Sequence, residues 1–411
     1  MTTTPILSVE REYVRTFAYV AVVVFVLRYI LHKILKLNQP AMPCELYFKK
    51  KSLTVQSIVN GCPELSKTYT PTWLWGKSGH IQTIVFGIMR KKNSDDLDSS
   101  RIVDVLSDGN TITFQVFNSI VPHPSGTEYT ILICPGIFGD YKKNYVQAIV
   151  HAAVRVGFRC CVLNHLGMPT DITLATPRLF TYGDTEPFAL MCQNIMTRYP
   201  DSKFIALGFS MGANVVCKYI GEEPTRQSKF LCAISICQGY DIQKVQQTLL
   251  QPPPMLRFYT FVLTQRFLAL IKKHSQTFYD RSFLTEHSID LCKVKAARSL
   301  YEFDKEFTVK WTKSNSMDEF AFQNSCSRNI LNINRVPLLL VNSLDDPLIG
   351  EAYHDIPKKA AECNDNVIFC ETLHGGHLGF FENGWLMPHD NFLEKLILSY
   401  MSTVIELEEI Q

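Results

Sequence analysis

Gly208-Phe209-Ser210-Met211-Gly212 is the stretch of sequence that decides the fold. It closes an apolar run, Phe204–Phe209, and precedes Ala213–Ile220, whose pattern predicts a helix. A G-x-S-x-G pentapeptide between a strand and a helix is typical of a sharp turn that lifts a serine hydroxyl above the edge of a sheet. Both glycines are expected because a Cβ at either position would clash where the strand turns into the helix.

Composition limits the classes of protein to which the chain can belong. Its 411 residues are 46% hydrophobic, enough for one large domain with a thick core or for two smaller ones. The formal net charge is +2 and the densest basic cluster is only Lys49–Lys51, so no nucleic-acid partner is predicted. The 13 cysteines have no metal-type spacing, and we expect them to be small buried apolar residues.

The N-terminal segment contains a long apolar run. Thr16–Leu27 carries no charge, and the run extends to Leu31, about 16 residues in all, if the Arg28 side chain snorkels. A straight span needs roughly 20 residues. We predict that residues 1–36 hold a tail and a single-pass membrane anchor, with a buried or interfacial helix as the alternative. Basic residues on both sides leave the orientation open, with a mild preference for a cytoplasmic catalytic domain.

Residues 37–100 are predicted to form a connector that packs on the catalytic domain. After this connector, short strands alternate with helices. Arg101–Leu106 and Thr111–Phe117 flank an Asp-Gly turn and predict a β-hairpin. The alternation that follows predicts a mostly parallel sheet with helices on both faces. With the G-x-S-x-G turn it indicates an α/β-hydrolase fold over residues 101–405. The strands and helices predicted up to the turn are Tyr129–Cys134, Asn144–Val156, Arg159–Leu163, Glu186–Arg198 and Lys203–Gly208.

Residues 240–330 interrupt this rhythm. They include Pro252-Pro253-Pro254 and an aromatic-rich helical run, Leu256–Ile271. This run is either a helix packed on the core or part of a cap over the active site, and we predict the cap. The sheet then resumes at Val336–Val341, ends at Asn366–Glu371, and is followed by a closing helix, Asn391–Tyr400.

A serine nucleophile needs a base, and the base needs an acid that orients it. In this fold the chain order is serine, acid, histidine. Asp345 and Asp346 both follow the strand Val336–Val341. We predict that Asp346 is the acid, because its spacing to the next helix fits better, and that Asp345 is a turn or capping residue.

The base is expected on the loop after the last strand. Of His374 and His377 we favour His377, because Gly375-Gly376 supplies freedom to aim the following ring. The oxyanion hole needs two backbone N–H donors. We predict Met211, which follows the nucleophile, and Ile137 in the loop after Tyr129–Cys134, with Phe138 as the next candidate.

The remaining chemistry-bearing residues indicate no cofactor. His80 and His165 have no acid or cysteine at ligand spacing, so we expect structural histidines and no metal site. The chain contains no phosphate-binding loop and no dinucleotide fingerprint.

Several motifs together resemble a branch of lipid hydrolases within the α/β-hydrolases. This branch includes the abhydrolase domain-containing proteins 1, 2 and 3 and the bacterial YheT-type esterases. The resemblance covers residues 45–385 and is weak in the N-terminal segment and the predicted cap. The motifs outside the nucleophile turn include Trp75–Thr83, Cys134–Ile137, Val162–Gly167, Thr176–Gly183, Cys217–Glu222, Cys237–Tyr240, Asp345–Leu348 and Leu373–Glu382.

The resemblance implies a membrane-anchored serine hydrolase of the plasma membrane that cleaves monoacylglycerols, with broader esterase activity and steroid stimulation. It places the catalytic roles on Ser210, Asp346 and His377. No residue of this sequence can be matched to a steroid-binding site of the family. The H-x-x-x-x-D acyltransferase signature of relatives is reduced to His123 with Glu128, which has the wrong acid.

The sequence thus predicts a carboxylic ester hydrolase that forms an acyl-serine on a lipid ester substrate. Two alternatives remain. The first is a lipid or steroid receptor on a hydrolase scaffold, against which an intact triad argues. The second is an acyltransferase, which shares the acyl-serine and differs in what attacks it.

Overall fold

A nine-stranded sheet lies at the centre of the protein, which the structure, a computed structural model, describes over residues 5–88 and 97–410. Its strands are β1 (Glu45–Tyr47), β2 (Ser99–Val105), β3 (Thr111–Phe117), β4 (Tyr129–Cys134), β5 (Phe158–Asn164), β6 (Lys203–Phe209), β7 (Phe230–Ile236), β8 (Leu338–Ser343) and β9 (Val367–Thr372). A separate short pair is formed by β10 (Phe381–Glu382) and β11 (Asp390–Asn391). The strand order in the large sheet is β1-β9-β8-β7-β6-β4-β5-β3-β2.

The six strands β4 to β9 are parallel, and the edges of the sheet are antiparallel. Successive side chains of a strand point to opposite faces, and in β4 both faces are buried. Leu132 and Cys134 pack into one hydrophobic core, while Ile131 and Ile133 pack into the other. The prediction of a mostly parallel sheet buried on both faces is therefore confirmed.

The described residues also form α-helices. In chain order they are α1 (Pro5–Tyr29), α2 (Leu53–Gly61), α3 (Pro63–Ser66), α4 (Gly79–Ile88), α5 (Asn144–Val154), α6 (Glu186–Arg198), α7 (Met211–Glu222), α8 (Pro224–Gln227), α9 (Ile242–Leu250), α10 (Pro254–Lys273), α11 (Ser275–Phe278), α12 (Arg281–Glu286), α13 (Leu291–Ala296), α14 (Leu300–Phe303), α15 (Val309–Trp311), α16 (Met317–Asn324), α17 (Asp355–Cys363) and α18 (Phe392–Ile410). Two π-helical turns, Ile30–Ile34 and Asp304–Thr308, and two 3₁₀ turns, Ile330–Asn332 and Glu351–Tyr353, complete the elements described. Helices α9 to α16 all lie between β7 and β8, where the sequence predicts a cap.

The prediction of a single-pass membrane anchor is wrong. Within residues 5–88 and 97–410, no helix has both the length and the apolar character needed to cross a bilayer. Helix α1 has 25 residues, but Arg15 and Arg28 confine its uncharged run to Thr16–Leu27. Twelve helical residues extend about 18 Å, against a hydrocarbon core of about 30 Å. The predicted single-pass membrane localisation, with its plasma-membrane assignment, is therefore not supported.

The segment predicted as a connector carries regular structure in its described part. Strand β1 pairs with β9 and adds an antiparallel edge to the sheet, and α2 and α3 pack against α18. Residues 89–96 of the predicted connector lie outside the described residues. The predicted β-hairpin is confirmed, because β2 pairs with β3 across a turn in which Gly109 has φ +84°.

Candidate active site

The G-x-S-x-G turn places Ser210 between β6 and α7 in a strained conformation. Its backbone has φ +51° and ψ −119°, a region that residues with a Cβ rarely adopt. The neighbouring glycines are required by close approach of the backbone. A Cβ on Gly208 would lie 2.4 Å from Cα of Ala213, and one on Gly212 would lie 2.2 Å from the carbonyl oxygen of Cys134.

Ser210, His377 and Asp346 form a continuous chain of hydrogen bonds. The Ser210 Oγ lies 2.8 Å from Nε2 of His377, and Nδ1 of His377 lies 2.8 Å from Oδ2 of Asp346. The residues come from the carboxyl ends of β6, β8 and β9, which meet at one edge of a parallel sheet. An imidazole that donates from Nδ1 to the carboxylate leaves Nε2 free to accept the serine proton.

The second carboxylate oxygen of Asp346 is also engaged. It accepts hydrogen bonds from the backbone N–H groups of Leu348 and Ile349, at 2.8 and 2.9 Å. These bonds fix the carboxylate in the plane it needs to face His377. The side chain of Asp346 is fully buried, so its bond to the imidazole is shielded from water.

Asp345 and His374, the two competitors, lie next to each other but outside this chain. The Oδ1 of Asp345 accepts a hydrogen bond from the backbone N–H of Gly376 at 2.8 Å. Its Oδ2 is 3.6 Å from Nδ1 of His374, whose Nε2 bonds to the carbonyl oxygen of Pro40 at 3.2 Å. Asp345 thus holds the loop that carries His377, and the geometry favours Asp346 as the acid.

Helix α4 provides a further support that the sequence reasoning missed. The Thr83 hydroxyl accepts a hydrogen bond from the backbone N–H of His377 at 2.8 Å and donates to the carbonyl oxygen of Gly79 at 2.7 Å. The Gln82 amide oxygen accepts from the backbone N–H of Phe381 at 3.0 Å. Both residues lie in the motif Trp75–Thr83, which contributed to the prediction only as a mark of the family resemblance. The many polar residues of that motif were the sequence feature that could have indicated such a supporting role.

The loop after β4 reaches the nucleophile. A Cβ built on Gly136 would lie 3.3 Å from Cβ of Ser210. The backbone N–H of Gly136 donates to the Tyr145 hydroxyl at 2.8 Å, and Nε2 of His165 donates to the carbonyl oxygen of Pro135 at 2.8 Å. Burial lowers the pKa of His165 to about 4, so this histidine supports the loop as a neutral ring.

The two predicted oxyanion donors face the same space. Ile137 and Met211 line a cavity together with Ser210 and His377. Across the part of the chain that the structure describes, neither of their backbone N–H groups donates a hydrogen bond to another protein group. Within the described residues both N–H groups thus lack a protein acceptor, as the donors of an oxyanion hole must.

This cavity has a volume of about 390 Å³ and extends from Ser210 into the insertion between β7 and β8. Most of its lining is apolar, and much of that lining comes from α9 and α10, which contribute Val245, Leu249, Leu256 and Leu263. An apolar cavity that opens onto a nucleophile suits an acyl chain.

Cys237 lies beside the His377–Asp346 pair. Its Sγ, a carboxylate oxygen of Asp346 and a ring nitrogen of His377 lie within 4.8 Å of one another, the only such group of potential metal ligands found among the described residues. Both ring nitrogens of His377 are already hydrogen bonded. Burial, with a smaller effect of Asp346, raises the pKa of the Cys237 thiol, so this sulfur stays protonated. We assign no metal to the group.

Asp304 is a buried acid in the cavity wall. Its carboxylate accepts a hydrogen bond from the Thr308 hydroxyl at 2.7 Å and interacts with the Tyr182 hydroxyl. Desolvation outweighs these two bonds and raises the pKa of Asp304 to about 7. The carboxyl group is therefore partly protonated near neutral pH.

The raised pKa of Asp304 predicts a pH-dependent stability. A carboxyl whose pKa rises from 3.8 to about 7 on folding stabilises the protein at low pH and loses that contribution as pH rises toward 7. Asp304→Asn does not titrate. The free energy of unfolding of the variant minus that of the parent should therefore increase between pH 5 and 7.5, by on the order of 1 kcal/mol per pH unit, and level off above pH 8. Denaturant unfolding across this range measures it, and a constant difference would contradict it.

The two aspartates should differ sharply in their effect on turnover. Asp346→Asn presents an amide to Nδ1 of His377 and favours the wrong tautomer, so we expect a loss of kcat on the order of 10⁴. Asp345→Asn keeps an oxygen for the Gly376 N–H and should cost far less. Steady-state kinetics of the two purified variants makes the comparison. The opposite ranking would show that Asp345 is the acid.

Thr83 should affect turnover through the position of His377. Thr83→Val leaves the backbone N–H of His377 without its acceptor, and we expect kcat to fall about tenfold, the effect of one lost hydrogen bond. Thr83→Ser keeps the hydroxyl and is the matched control, expected within about twofold of the parent. Equal losses in the two variants would contradict this role of the hydroxyl, because Thr83→Ser keeps it.

Comparisons with known proteins show the family to which the chain belongs. The family model for the alpha/beta hydrolase fold matches residues 129–384. Monoacylglycerol lipase ABHD2 of Mus musculus is 39% identical over 384 residues, which cover 92% of this chain and 90% of that protein. Phospholipase ABHD3 of Mus musculus is 28% identical over 350 residues, which cover 84% of this chain and 80% of that protein.

Among solved structures, an esterase of Pyrococcus furiosus aligns with a TM-score of 0.42 and 14% identity, covering 71% of this chain and 88% of its own. The family resemblance predicted from the sequence motifs is confirmed, and the relatives include abhydrolase domain-containing protein 2. The chain belongs to the α/β-hydrolase superfamily, within it to the family of the abhydrolase domain-containing proteins 1, 2 and 3, and is a carboxylic ester hydrolase.

Proposed function

We propose that the chain is an acylglycerol lipase that hydrolyses monoacylglycerols through an acyl-serine intermediate on Ser210. The observation that carries this proposal is the hydrogen-bonded chain Ser210–His377–Asp346 at the mouth of an apolar cavity. The names of the relatives, which include monoacylglycerol lipase, support the substrate class.

In the proposed mechanism, Ser210 Oγ attacks the ester carbonyl carbon while Nε2 of His377 takes its proton. Asp346 holds the imidazole in the required tautomer and stabilises the imidazolium. The backbone N–H groups of Met211 and Ile137 stabilise the tetrahedral oxyanion. His377 then protonates the departing alcohol. A water molecule, deprotonated by His377, attacks the acyl-serine and releases the fatty acid.

The cavity supports a lipid acyl group as the part of the substrate next to the nucleophile. Its aliphatic lining removes the chain from water, which contributes roughly 0.8 kcal/mol per buried methylene group. The alcohol product differs between substrates, and polar groups in the cavity wall bear on which alcohol is accepted.

The acyltransferase alternative has less support. His123, the remnant of the acyltransferase signature, bonds to the Ser125 hydroxyl at 2.9 Å and packs against the rings of Tyr129 and Phe158. It does not line the cavity that holds Ser210. A receptor role would leave the aligned Ser210–His377–Asp346 chain without a purpose. Stimulation by a steroid, implied by the family resemblance, stays a prediction.

Ser210→Ala tests the proposed nucleophile. The variant lacks the Oγ that would form the acyl-enzyme, so we expect loss of monoacylglycerol hydrolysis and of fluorophosphonate labelling, with an unchanged fold. Gel-based labelling and fatty-acid release measure the two effects.

Ser228 is exposed and its hydroxyl donates to the carbonyl oxygen of Thr225, so Ser228→Ala is the matched control and should keep full activity. Turnover by purified, folded Ser210→Ala equal to that of the parent would overturn the assignment.

A further inference from the structure

One face of α9 lines the cavity and contains a polar residue. Ile242, Val245, Gln246 and Leu249 recur at helical spacing along this face, and all four border the cavity. Gln246 is 6% exposed. Its Nε2 is buried and has no hydrogen-bond partner among the residues the structure describes. A buried donor without a partner costs about 1–3 kcal/mol, so its presence on an apolar face calls for an acceptor supplied from outside the protein.

A second polar group faces the cavity from the element packed against α9. Helix α14 contacts α9, and the π-helical turn Asp304–Thr308 continues directly from α14. Leu300 and Asp304, one turn apart, both border the cavity. Irregular π turns inside helices occur frequently at functional sites, where they redirect a side chain.

The carboxyl group of Asp304 is fixed in place without being saturated. Thr308 donates to Oδ1 at 2.7 Å, and the Tyr182 hydroxyl bonds to the same carboxyl group. A carboxyl group has about four lone-pair positions, so these bonds leave room for another donor.

Two other polar side chains of the cavity wall, those of Asn214 and Tyr240, are already used by the protein. The amide nitrogen of Asn214 donates to the carbonyl oxygens of Tyr182 and Asn324, and its oxygen accepts from the backbone of Cys326. The hydroxyl of Tyr240 bonds to Asn342 at 2.8 Å. These groups hold the insertion to the sheet, whereas Gln246 and Asp304 keep hydrogen-bonding capacity toward the cavity.

We propose that Gln246 and Asp304 bind free hydroxyl groups on the alcohol part of the ester substrate. A hydroxyl group can both accept and donate hydrogen bonds. Its oxygen can accept from Nε2 of Gln246, and its O–H can donate to the carboxyl group of Asp304. The site therefore selects partial esters of a polyol over esters of a simple alcohol. This inference rests on the proposed function, because it assumes that Ser210 attacks an ester held in this cavity.

Selection of this kind follows from the cost of unpaired groups. An ester without free hydroxyls gives Nε2 of Gln246 no acceptor and the remaining positions of the Asp304 carboxyl group no donor once the alcohol occupies the site, so the site binds its transition state less well. The acyl chain contributes equally to both esters. The difference is therefore confined to the alcohol and is measurable as a ratio.

The test compares glycerol mono-oleate with ethyl oleate, presented in the same detergent micelles. We expect the ratio of kcat/KM values, glycerol ester over ethyl ester, to fall about tenfold in Gln246→Leu and in Asp304→Ala. Activity on ethyl oleate is the denominator, so a general loss of activity in either variant cancels from this ratio. Asp304→Asn keeps an acceptor oxygen and should restore much of the ratio. Gln247→Leu, the same substitution at the next, exposed position of α9, is the matched control and should leave the ratio unchanged.

Thermal denaturation separates binding from folding. Gln246→Leu removes an unpartnered buried donor, so its Tm should equal or exceed that of the parent while its ratio falls. If Asp304→Ala does not fold, Gln246→Leu decides the question alone.

An active parent with the same ratio in Gln246→Leu contradicts the inference and leaves the proposed function intact. A parent that hydrolyses neither ester contradicts both.

Discussion

The strained backbone of Ser210 is the constraint on which the rest of the site depends. A non-glycine residue at φ +51° costs on the order of 1–3 kcal/mol and persists only where its surroundings hold it. Here the backbone N–H of Ser210 donates to the carbonyl oxygen of Ile236 at 2.8 Å, and α7 packs tightly against β4 and β6. Hydrogen bonding and packing against the parallel sheet thus offset the backbone strain that places the Ser210 hydroxyl above the edge of the sheet.

The partners of Ser210 are held by layers of hydrogen bonds from distant parts of the chain. Asp346 is fixed by two backbone N–H groups, and the loop of His377 is fixed by Asp345 from one side and by Thr83 from the other. None of these supports takes part in the proposed reaction. They restrict the imidazole to one orientation, which is the preorganisation that a general base requires.

The sequence predicted the parts of this arrangement that follow from local patterns. A buried parallel strand is a continuous apolar run, and a helix repeats its apolar residues at helical spacing, so β4 and α6 were predicted with the bounds the structure has. The G-x-S-x-G turn located Ser210. The chain order of the fold indicated the segments after β8 and β9, spacing then favoured Asp346, and the preceding glycine pair favoured His377. The prediction of a membrane span failed at α1, because the length of its uncharged run was close to the minimum that a membrane-spanning helix needs.

Contacts across long stretches of chain could not be read from the sequence. The bond from His377 to Thr83 joins residues 294 positions apart, and no periodicity in either segment signals it. The same limit applies to Gln246 and Asp304. Both lie in the insertion between β7 and β8, 58 positions apart in the sequence, and only the folded cavity brings both to its wall. Local propensity specifies elements, whereas the functional value of a polar residue depends on which groups the fold leaves unpaired near it.

Helix α4 shows how the insertion and the sheet act on the same site. Thr83 holds the loop of His377, and one turn earlier His80 stacks on the ring of Tyr259 in α10 and bonds to its hydroxyl at 3.1 Å. One short helix therefore contacts both the proposed base and the helix that lines the substrate cavity. Gln82 anchors the same helix, because its amide accepts from the backbone N–H of Phe381 and donates to the Tyr69 hydroxyl. The sheet fixes the chemistry of the site, the insertion shapes the cavity, and α4 couples the two.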